Sequence, residues 1–460
     1  MVKNVVVAKF GGSSLANAVQ IRKVESILNS DDKRRYVVVS APGTDKDNSY
    51  KVTDILYNLY YNSRKNVSTK KIVSDYKKLP LSQEELVKII SERYSTIALN
   101  LGMKTTLPRL FDTELENLLK KKNTQVDEVV SRGENFHARL IAEYLHAKFV
   151  DAADLIYIDE ENDPDNDKTM RLVNQLTKLK GKRIVIPGFY GNTDKKIRTF
   201  SRGGSDFTGS IIAAGVNASL YENWTDQNGI LCVDPRLFDE TEAKSIPVID
   251  VMTFKECREL TYSGFSVLND ETVGPVRKRN IPINIRNTNN PSYKGTLITA
   301  KHNRDSIIVG IAGKDGFCTI DIEKYMMNKK PGFGKGILDI IAKRKINYEH
   351  MPSGIDDISI IIDEKVLEPY KKEILEEIES KFHPDNLKVT PDLALISIVG
   401  EGMFYKVGIS EKVTGCLARN NINIEIMNQG ASESNIIIGV ASKDYKKGIR
   451  VLYEELLKKK

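Results

Sequence analysis

VVVAKFGGSSLANAVQIRKVESILNSDDKRRYVVVS, running from Val5 to Ser40, decides the fold class. Val5–Phe10 is a short, valine-dominated run with the length and composition of a strand buried on both faces. Gly11, Gly12, Ser13 and Ser14 interrupt it. From Asn17 to Leu28 the apolar residues Ala18, Ile21, Val24 and Leu28 recur at helical spacing. Asp31 and Asp32 end that helix, and Tyr36–Ser40 is a second valine-rich strand. Strand, glycine turn, helix and strand make a βαβ unit, whose crossover makes the two strands parallel.

Similar units follow. Arg183–Pro187 and Ala218–Glu222 read as short strands, with a helical stretch over Thr208–Gly215 between them. Between Ser63 and Lys122 the composition turns helical and charged, and Ser82 with Glu85 predicts a capping box opening a helix through Leu99. This segment is a helical insertion. The first 300 residues therefore read as one α/β domain whose sheet is covered on both faces. The whole chain of 460 residues is long enough for two to four domains, and 40% hydrophobic with 28% charged residues excludes a mainly disordered chain.

No apolar run approaches membrane-spanning length, and Val5–Ala8 is too short for a secretory signal. Cys232, Cys257, Cys318 and Cys416 lie far apart without a CxxC pair, which fits a reducing, cytoplasmic setting. The net charge of 69 − 62 = +7 is spread along the chain, so it reads as a solvated surface and not a nucleic-acid platform.

The last third contains a repeat. INYEHM at Ile346–Met351 matches INIEIM at Ile422–Met427, and the ungapped register from Ala342–Ile362 to Ala418–Ile438 gives nine identities in 21 positions. Phe317–Ile322 and Leu395–Val399 read as the first strands of the copies, and Gly354 and Gly430 hold the same turn before Ile360–Ile362 and Ile436–Ile438. The order predicts two ferredoxin-like βαββαβ modules, one over 314–390, the other from 301–313 together with 391–460.

Four constellations are able to carry chemistry. In KFGGSS, Lys9–Ser14, the glycines let backbone approach an anion and Lys9 adds a point charge at the strand end; a plain strand-to-helix turn is the structural alternative. In SRGGSD, Ser201–Asp206, Arg202 is suited to gripping a carboxylate, and Asp206 to meeting an ammonium, a metal or Lys9, or to capping a helix. SRGE, Ser131–Glu134, is itself a capping-box pattern, with Glu134 as an acceptor for an ammonium in the functional alternative. In NWTDQNGILCVDPR, Asn223–Arg236, Thr225, Asp226 and Arg236 suit a nucleotide, against a polar turn bent at Asn228-Gly229. There is no P-loop and no GxGxxG. The five histidines have no metal-ligand spacing, and His350, aligned with Ile426, reads as a packing residue.

Taken in order, KFGGSS, VVVSAPG (Val37–Gly43), KVTD (Lys51–Asp54), RGE, PGFYG (Pro187–Gly191), FSRGGSD and WTD…GI…DPR resemble the aspartokinases of the amino-acid kinase family, across essentially the whole chain. The repeat is similar to that family's tandem ACT modules. HMPSGIDD (His350–Asp357) and NQGASES (Asn428–Ser434) are most like the monofunctional, lysine-sensitive bacterial forms.

The resemblance implies a three-layer α/β/α kinase domain over 1–300, with a mostly parallel sheet, followed by the ACT modules. It implies phosphorylation of the β-carboxylate of L-aspartate by ATP with Mg²⁺, giving 4-phospho-L-aspartate and ADP, at the entry to lysine, methionine and threonine synthesis. A carboxylate with a reference pKa near 4 is already ionised at neutral pH, so the reaction needs positioning and charge neutralisation rather than a general base. By likeness, Lys9 and Asp206 are the catalytic residues. Ser40, Thr53, Glu134, Phe189, Arg202 and Ser205 line the aspartate site; Lys9, Gly11, Gly12, Ser13, Thr225, Asp226 and Arg236 bind ATP; and Mg²⁺ travels with the nucleotide.

An effector amino acid, lysine by the same likeness, is implied near Met327, Phe333, Gly334, Glu349, Pro352, Ser353 and Asp356, with Glu425, Asn428 and Gln429 from the second module. ACT pairing implies a homodimer or tetramer, with no nucleic-acid or membrane partner. The chain departs from many relatives at GFSVLND, Gly264–Asp270, with Ser266 where a lysine is common and Asn269 where a histidine is common. A glutamate or N-acetylglutamate kinase, and an amino-acid sensor with an inactive kinase domain, are the rival readings.

Overall fold

The computed structural model describes residues 4–64, 78–194, 196–200, 203–265, 268, 270–301, 306–404, 406–430 and 434–458. They form two compact units. The first comprises Met1–Ile230, Val248–Phe254 and Ser266–Lys301; the second comprises Leu231–Pro247, Lys255–Phe265 and His302–Lys460. The sequence places a single boundary near residue 300, whereas the observed division gives two earlier segments to the second unit. Backbone pairing explains this for the first of them: the Ile311 amide donates to the Cys232 carbonyl at 2.8 Å, and Val233 bridges Ile311.

The strands of the first unit are β1 (Val6–Phe10), β2 (Arg34–Val39), β3 (Lys148–Phe149), β4 (Ile184–Pro187), β5 (Tyr190–Asn192), β6 (Ile197–Thr199), β7 (Leu220–Thr225), β8 (Val251–Thr253), β9 (Ile283–Asn287) and β10 (Thr296–Thr299). Eight of them form one sheet in the order β3-β4-β2-β1-β7-β9-β10-β8, while β5 and β6 make a separate hairpin. All neighbours in the large sheet are parallel except β9 and β10. Every residue of β1 and β4 is buried, as expected of strands covered on both faces.

Chain order reverses direction at β1: β2 and β4 lie to one side of it and β7 to the other. In open α/β sheets such a switch point leaves a crevice at the carboxyl ends of the strands. The helix after β1 runs over Ala18–Asn29, and Asn17 caps it by accepting the Gln20 amide at 3.1 Å. The helical insertion includes Gln83–Asn100, opened by the Ser82–Glu85 capping box. It is anchored by buried Tyr94, edge-on to Phe111 and Phe136 at 5.1 and 4.7 Å.

The second unit has β11 (Gly310–Glu323), β12 (Asp357–Asp363), β13 (Asn386–Val399), β14 (Ile426–Gln429) and β15 (Asn435–Ala441), in the antiparallel order β12-β11-β13-β15-β14. The two modules share the long strands. Phe317–Glu323 of β11 pairs with β12 and with the start of β13, whereas Gly310–Lys314 pairs with its end. The repeat is not symmetrical in detail: Ile426–Gln429 is a strand, but its counterpart holds only single bridges at His350 and Ser353. Pro352 stands where the second copy has Asn428, and proline has no amide to give a ladder.

Candidate active site

The crevice at the switch point is built from β1 outward. Lys9 and Asn223 are register partners on β1 and β7. The Lys9 ammonium lies 2.5 Å from Asp206 Oδ1 and 3.3 Å from Asn223 Oδ1, and the Asn223 amide nitrogen donates to Asp206 Oδ1 at 3.0 Å. Asp206 does not cap its helix. That helix, Gly204–Gly215, is preceded by Gly203 in the left-handed region (φ 71°), which leaves Asp206 in the first turn and free to reach Lys9.

Gly11 lies over this cluster, where a Cβ would stand 3.5 Å from the Lys9 ammonium. The Gly11 amide donates to the Trp224 carbonyl, tying the glycine turn to β7. Gly12 presses on the loop after β2: its carbonyl accepts the Gly43 amide at 2.9 Å, and a Cβ on Gly43 would lie 2.5 Å from the Gly12 carbonyl carbon. Ser13 opens a single 3₁₀ turn, and neighbouring Ser14 is held by Thr288 at 2.7 Å.

Glu134 supplies a second acidic group. Sequence alone favours a capping box with Ser131, but the structure has none, because Ser131 already donates back to the Glu128 carbonyl in the preceding short helix. Glu134 is buried, and burial pushes its carboxyl up to about 8 against the amides of Ala41 and Glu134 itself. One of its oxygens has no partner among the described residues. An unsatisfied buried carboxylate oxygen fits an incoming ammonium. Ser40 is fixed through its carbonyl, 2.8 Å from Nδ1 of fully buried His137, and burial lowers that imidazole to about 4, so it is neutral at pH 7. Thr53 sits in the first turn of the helix Val52–Asn62.

Phe189 follows β4 at φ 80°, a conformation rare for a non-glycine residue, and its amide donates to Thr208 Oγ1 at 3.1 Å. The strain is accommodated by tight packing: Gly204 leaves room for the Phe189 ring, and Gly188 leaves room for Ser205. Arg202 lies outside the described residues, as do Ser266 and Asn269. Thr225 ends β7 beside the crevice and Asp226 follows it, with the Thr225 hydroxyl 3.2 Å from Asp226 Oδ1. Arg236 belongs to the second unit, where Asp234 pairs with it at 2.7 Å.

Two functional elements escape a sequence reading. Asn223 opens the NWTD stretch, and nothing local marks it as the bridge between Lys9 and Asp206. Glu222 is the other: it pairs with Arg34 at 2.7 Å and Arg286 at 3.3 Å, and accepts from the Trp224 indole at 3.0 Å. Both guanidiniums also approach the Trp224 ring, at 5.3 and 4.6 Å to its centroid. This fixes the residue whose carbonyl holds Gly11.

In the second unit Met327 and Phe333 pack into the first module's core, Phe333 edge-on to Phe382 at 5.2 Å. The Asn328 amide donates to the Ile355 carbonyl and the Lys324 amide to the Asp356 carbonyl, which brings the loop after β11 and the loop before β12 together. One carboxylate oxygen of Asp356 is buried without a partner among the described residues. Gly334, Pro352 and Ser353 belong to the same end of the module. Glu349 pairs through its backbone with Ile361. Asn428 and Gln429 lie on β14, at the opposite edge of the sheet from β12, and Glu425 immediately precedes that strand.

Comparison with known proteins agrees with this architecture. The model of the amino acid kinase family matches residues 4–287, and an ACT domain model matches residues 396–456, the second module. Aspartokinase 3 of Bacillus subtilis is 38% identical over 466 residues, spanning 98% of both chains. The crystal structure of Clostridium acetobutylicum aspartate kinase, described as an allosteric enzyme, matches with a TM-score of 0.86 at 38% identity, covering 98% of this chain and all of that one. Escherichia coli aspartokinase III, solved with aspartate and ADP, shares the fold at a TM-score of 0.76 and 23% identity, over 99% of this chain and 100% of that one. The chain belongs to the amino acid kinase family, as an aspartokinase-type enzyme carrying ACT modules.

Proposed function

We propose that the chain transfers the γ-phosphoryl group of ATP to the β-carboxylate of L-aspartate, giving 4-phospho-L-aspartate and ADP at the entry to lysine, methionine and threonine synthesis in the cytoplasm. The observation that carries this reading is the meeting of Lys9, Asp206 and Asn223 beside the Gly11–Gly12 turn. A carboxylate oxygen forms the new P–O bond while the bridging P–O bond breaks and ADP leaves with its electron pair. No proton has to be removed, so no basic side chain is required.

The difficulty is repulsion between two anions. Lys9 and the Gly12 amide face the transferring group, with Ser13 beside them, while Gly11, whose amide is held by the Trp224 carbonyl, keeps space open above the Lys9 ammonium. Arg202 takes the α-carboxylate of aspartate, and Glu134 with Asp206 takes its ammonium. Ser40, Thr53, Phe189 and Ser205 bound that side of the pocket; Thr225, Asp226 and Arg236 serve the nucleotide. Mg²⁺ would arrive on the nucleotide phosphates. Bound there, it would neutralise phosphate charge.

ADP release measured with aspartate and with glutamate tests the reading; turnover with glutamate alone overturns it. Arg202→Ala is expected to raise the aspartate KM far more than that of ATP, and equal losses would remove its assigned role.

The ACT modules are proposed to bind an inhibitory end product, lysine, near Met327, Phe333, Gly334, Glu349, Pro352, Ser353 and Asp356. Glu425, Asn428 and Gln429 would complete the site from a second chain, as a dimer or tetramer, because β12 and β14 occupy opposite edges of one sheet. Inhibition requires the effector to bind a less active arrangement more tightly, and a tenfold preference corresponds to about 1.4 kcal/mol. Repeating the assay with lysine, alongside sedimentation, checks both parts.

A further inference from the structure

Within the second unit, residues 255–265 lie over the sheet face that carries Phe317, Leu395, Ser397, Asn435 and Ile437. These residues share that face by the strand period of two. Two hydrogen bonds close the contact: Ser263 to Ser397 at 2.9 Å, and the Asn435 amide nitrogen to Glu259 Oε2 at 2.8 Å. Between them a cavity of about 110 Å³ remains. A water requires roughly 10–15 Å³ on this measure, so a molecule of roughly seven to eleven non-hydrogen atoms fits.

The lining is charged on both signs. Glu259 and Glu349 face the cavity, as does Lys314. Lys314 stacks at 5.1 Å on the Phe317 ring and, among the described residues, forms no ion pair. Asn435 is 9% exposed. The Glu259 carboxylate only accepts, so it fixes which end of the Asn435 amide is nitrogen. The carbonyl oxygen Oδ1 is then buried without a donor among the described residues. Three acceptors therefore call for an ammonium, Lys314 calls for a carboxylate, and Phe317, Leu395 and Ile437 supply an apolar floor.

We propose that this cavity is a second amino-acid site, which takes an α-amino acid with a neutral or cationic side chain. Its ammonium would lie against Asn435 Oδ1, Glu259 and Glu349, and its carboxylate against Lys314. The site shares Glu349 with the loop site proposed above but none of Met327, Phe333, Gly334 or Asp356, and it does not depend on which reaction the chain catalyses.

Calorimetric titration of the full chain with L-leucine and, separately, L-lysine tests it. At least one binds at one per chain. Lys314→Met, a change at an exposed position, weakens that binding by about tenfold or more, the scale of one charge-assisted hydrogen bond. Asn435→Ser, with folding verified by circular dichroism, does the same, while Asp356→Asn leaves it intact. For leucine, 3-methylbutylamine and 4-methylpentanoate, each lacking one charge, bind correspondingly more weakly. No binding of either amino acid, or binding to the Asp356→Asn chain that adding Lys314→Met does not weaken, overturns the proposal. Loss of binding in Asp356→Asn with retention in Lys314→Met assigns the heat to the loop site and overturns it as well.

Discussion

Lys9 is only 7% exposed, and among the described residues its ammonium is compensated by Asp206 and Asn223. Charge placed ahead of time where negative charge accumulates acts without reorganisation, and removing one such donor costs about 10²–10³ in rate. Lys9→Met is therefore expected to lower kcat by about that factor while the chain stays folded, read by ADP release with circular dichroism as control. Glu134 gives a pH signature. Its carboxyl is raised to about 8, so the folded chain holds a proton there that the unfolded chain has lost above the ordinary carboxylate range. Stability from this group is full below that range and declines as pH rises toward about 8. An aspartate ammonium, by contrast, needs the ionised form. The aspartate KM should fall as pH climbs from 6.5 to 8.5, and Glu134→Gln should flatten that slope while raising the melting midpoint more at pH 8.5 than at 5.5. A steep KM slope surviving in the variant would detach Glu134 from the substrate ammonium.

The elements that position the site meet through small residues and one buried charge cluster. At Gly188 a Cβ would lie 2.5 Å from Ser205 Oγ and 2.8 Å from its Cα, so backbone as well as side chain would have to move. Gly188→Ala should displace the start of the helix Gly204–Gly215 and with it Asp206, costing about 1–3 kcal/mol by overpacking; denaturant unfolding and kcat are both expected to drop. Glu222 ties β7 to β2 through Arg34 and to β9 through Arg286, with the Arg34 and Glu222 side chains 7% and 4% exposed. Breaking such a pair from one side strands a buried charge, at about 3–5 kcal/mol. Arg34→Met should destabilise on that scale, the lower end if Arg286 takes over the vacated oxygen, and urea midpoints for the single and double variants measure the sharing.

At the scale of the whole molecule, the second unit draws on sequence from before residue 300. Gly310 packs against Leu260, and the Ile311 amide is satisfied by Cys232. A chain truncated after Lys301 keeps Leu231–Pro247 and Lys255–Phe265 but removes what they pack on. It is expected to show new proteolytic cleavage within 231–265 and increased binding of a hydrophobic dye; a truncated chain as protease-resistant as the full one would show that these segments hold their shape alone.

The local patterns were legible from the chain itself. Val5–Ser40 announces a parallel βαβ start because its valine runs and helical period are short-range properties, and the Ser82–Glu85 box spans three residues. The offset of 76 likewise reveals two modules without coordinates. What pattern alone could not supply is which of two local options wins when a distant group competes. Ser131 and Glu134 spell a capping box, yet burial commits Glu134 to a proton and an empty oxygen. Asp206 spells a helix cap, yet Lys9, nearly two hundred residues away, claims it. Asn223 and Glu222 have no local signature, and the reach of residues 231–265 into the second unit depends on pairing with β11. Sequence fixes what neighbours in the chain can do for one another; only folding sets the dielectric around a charge and the partner it meets, and these decide the chemistry of the site.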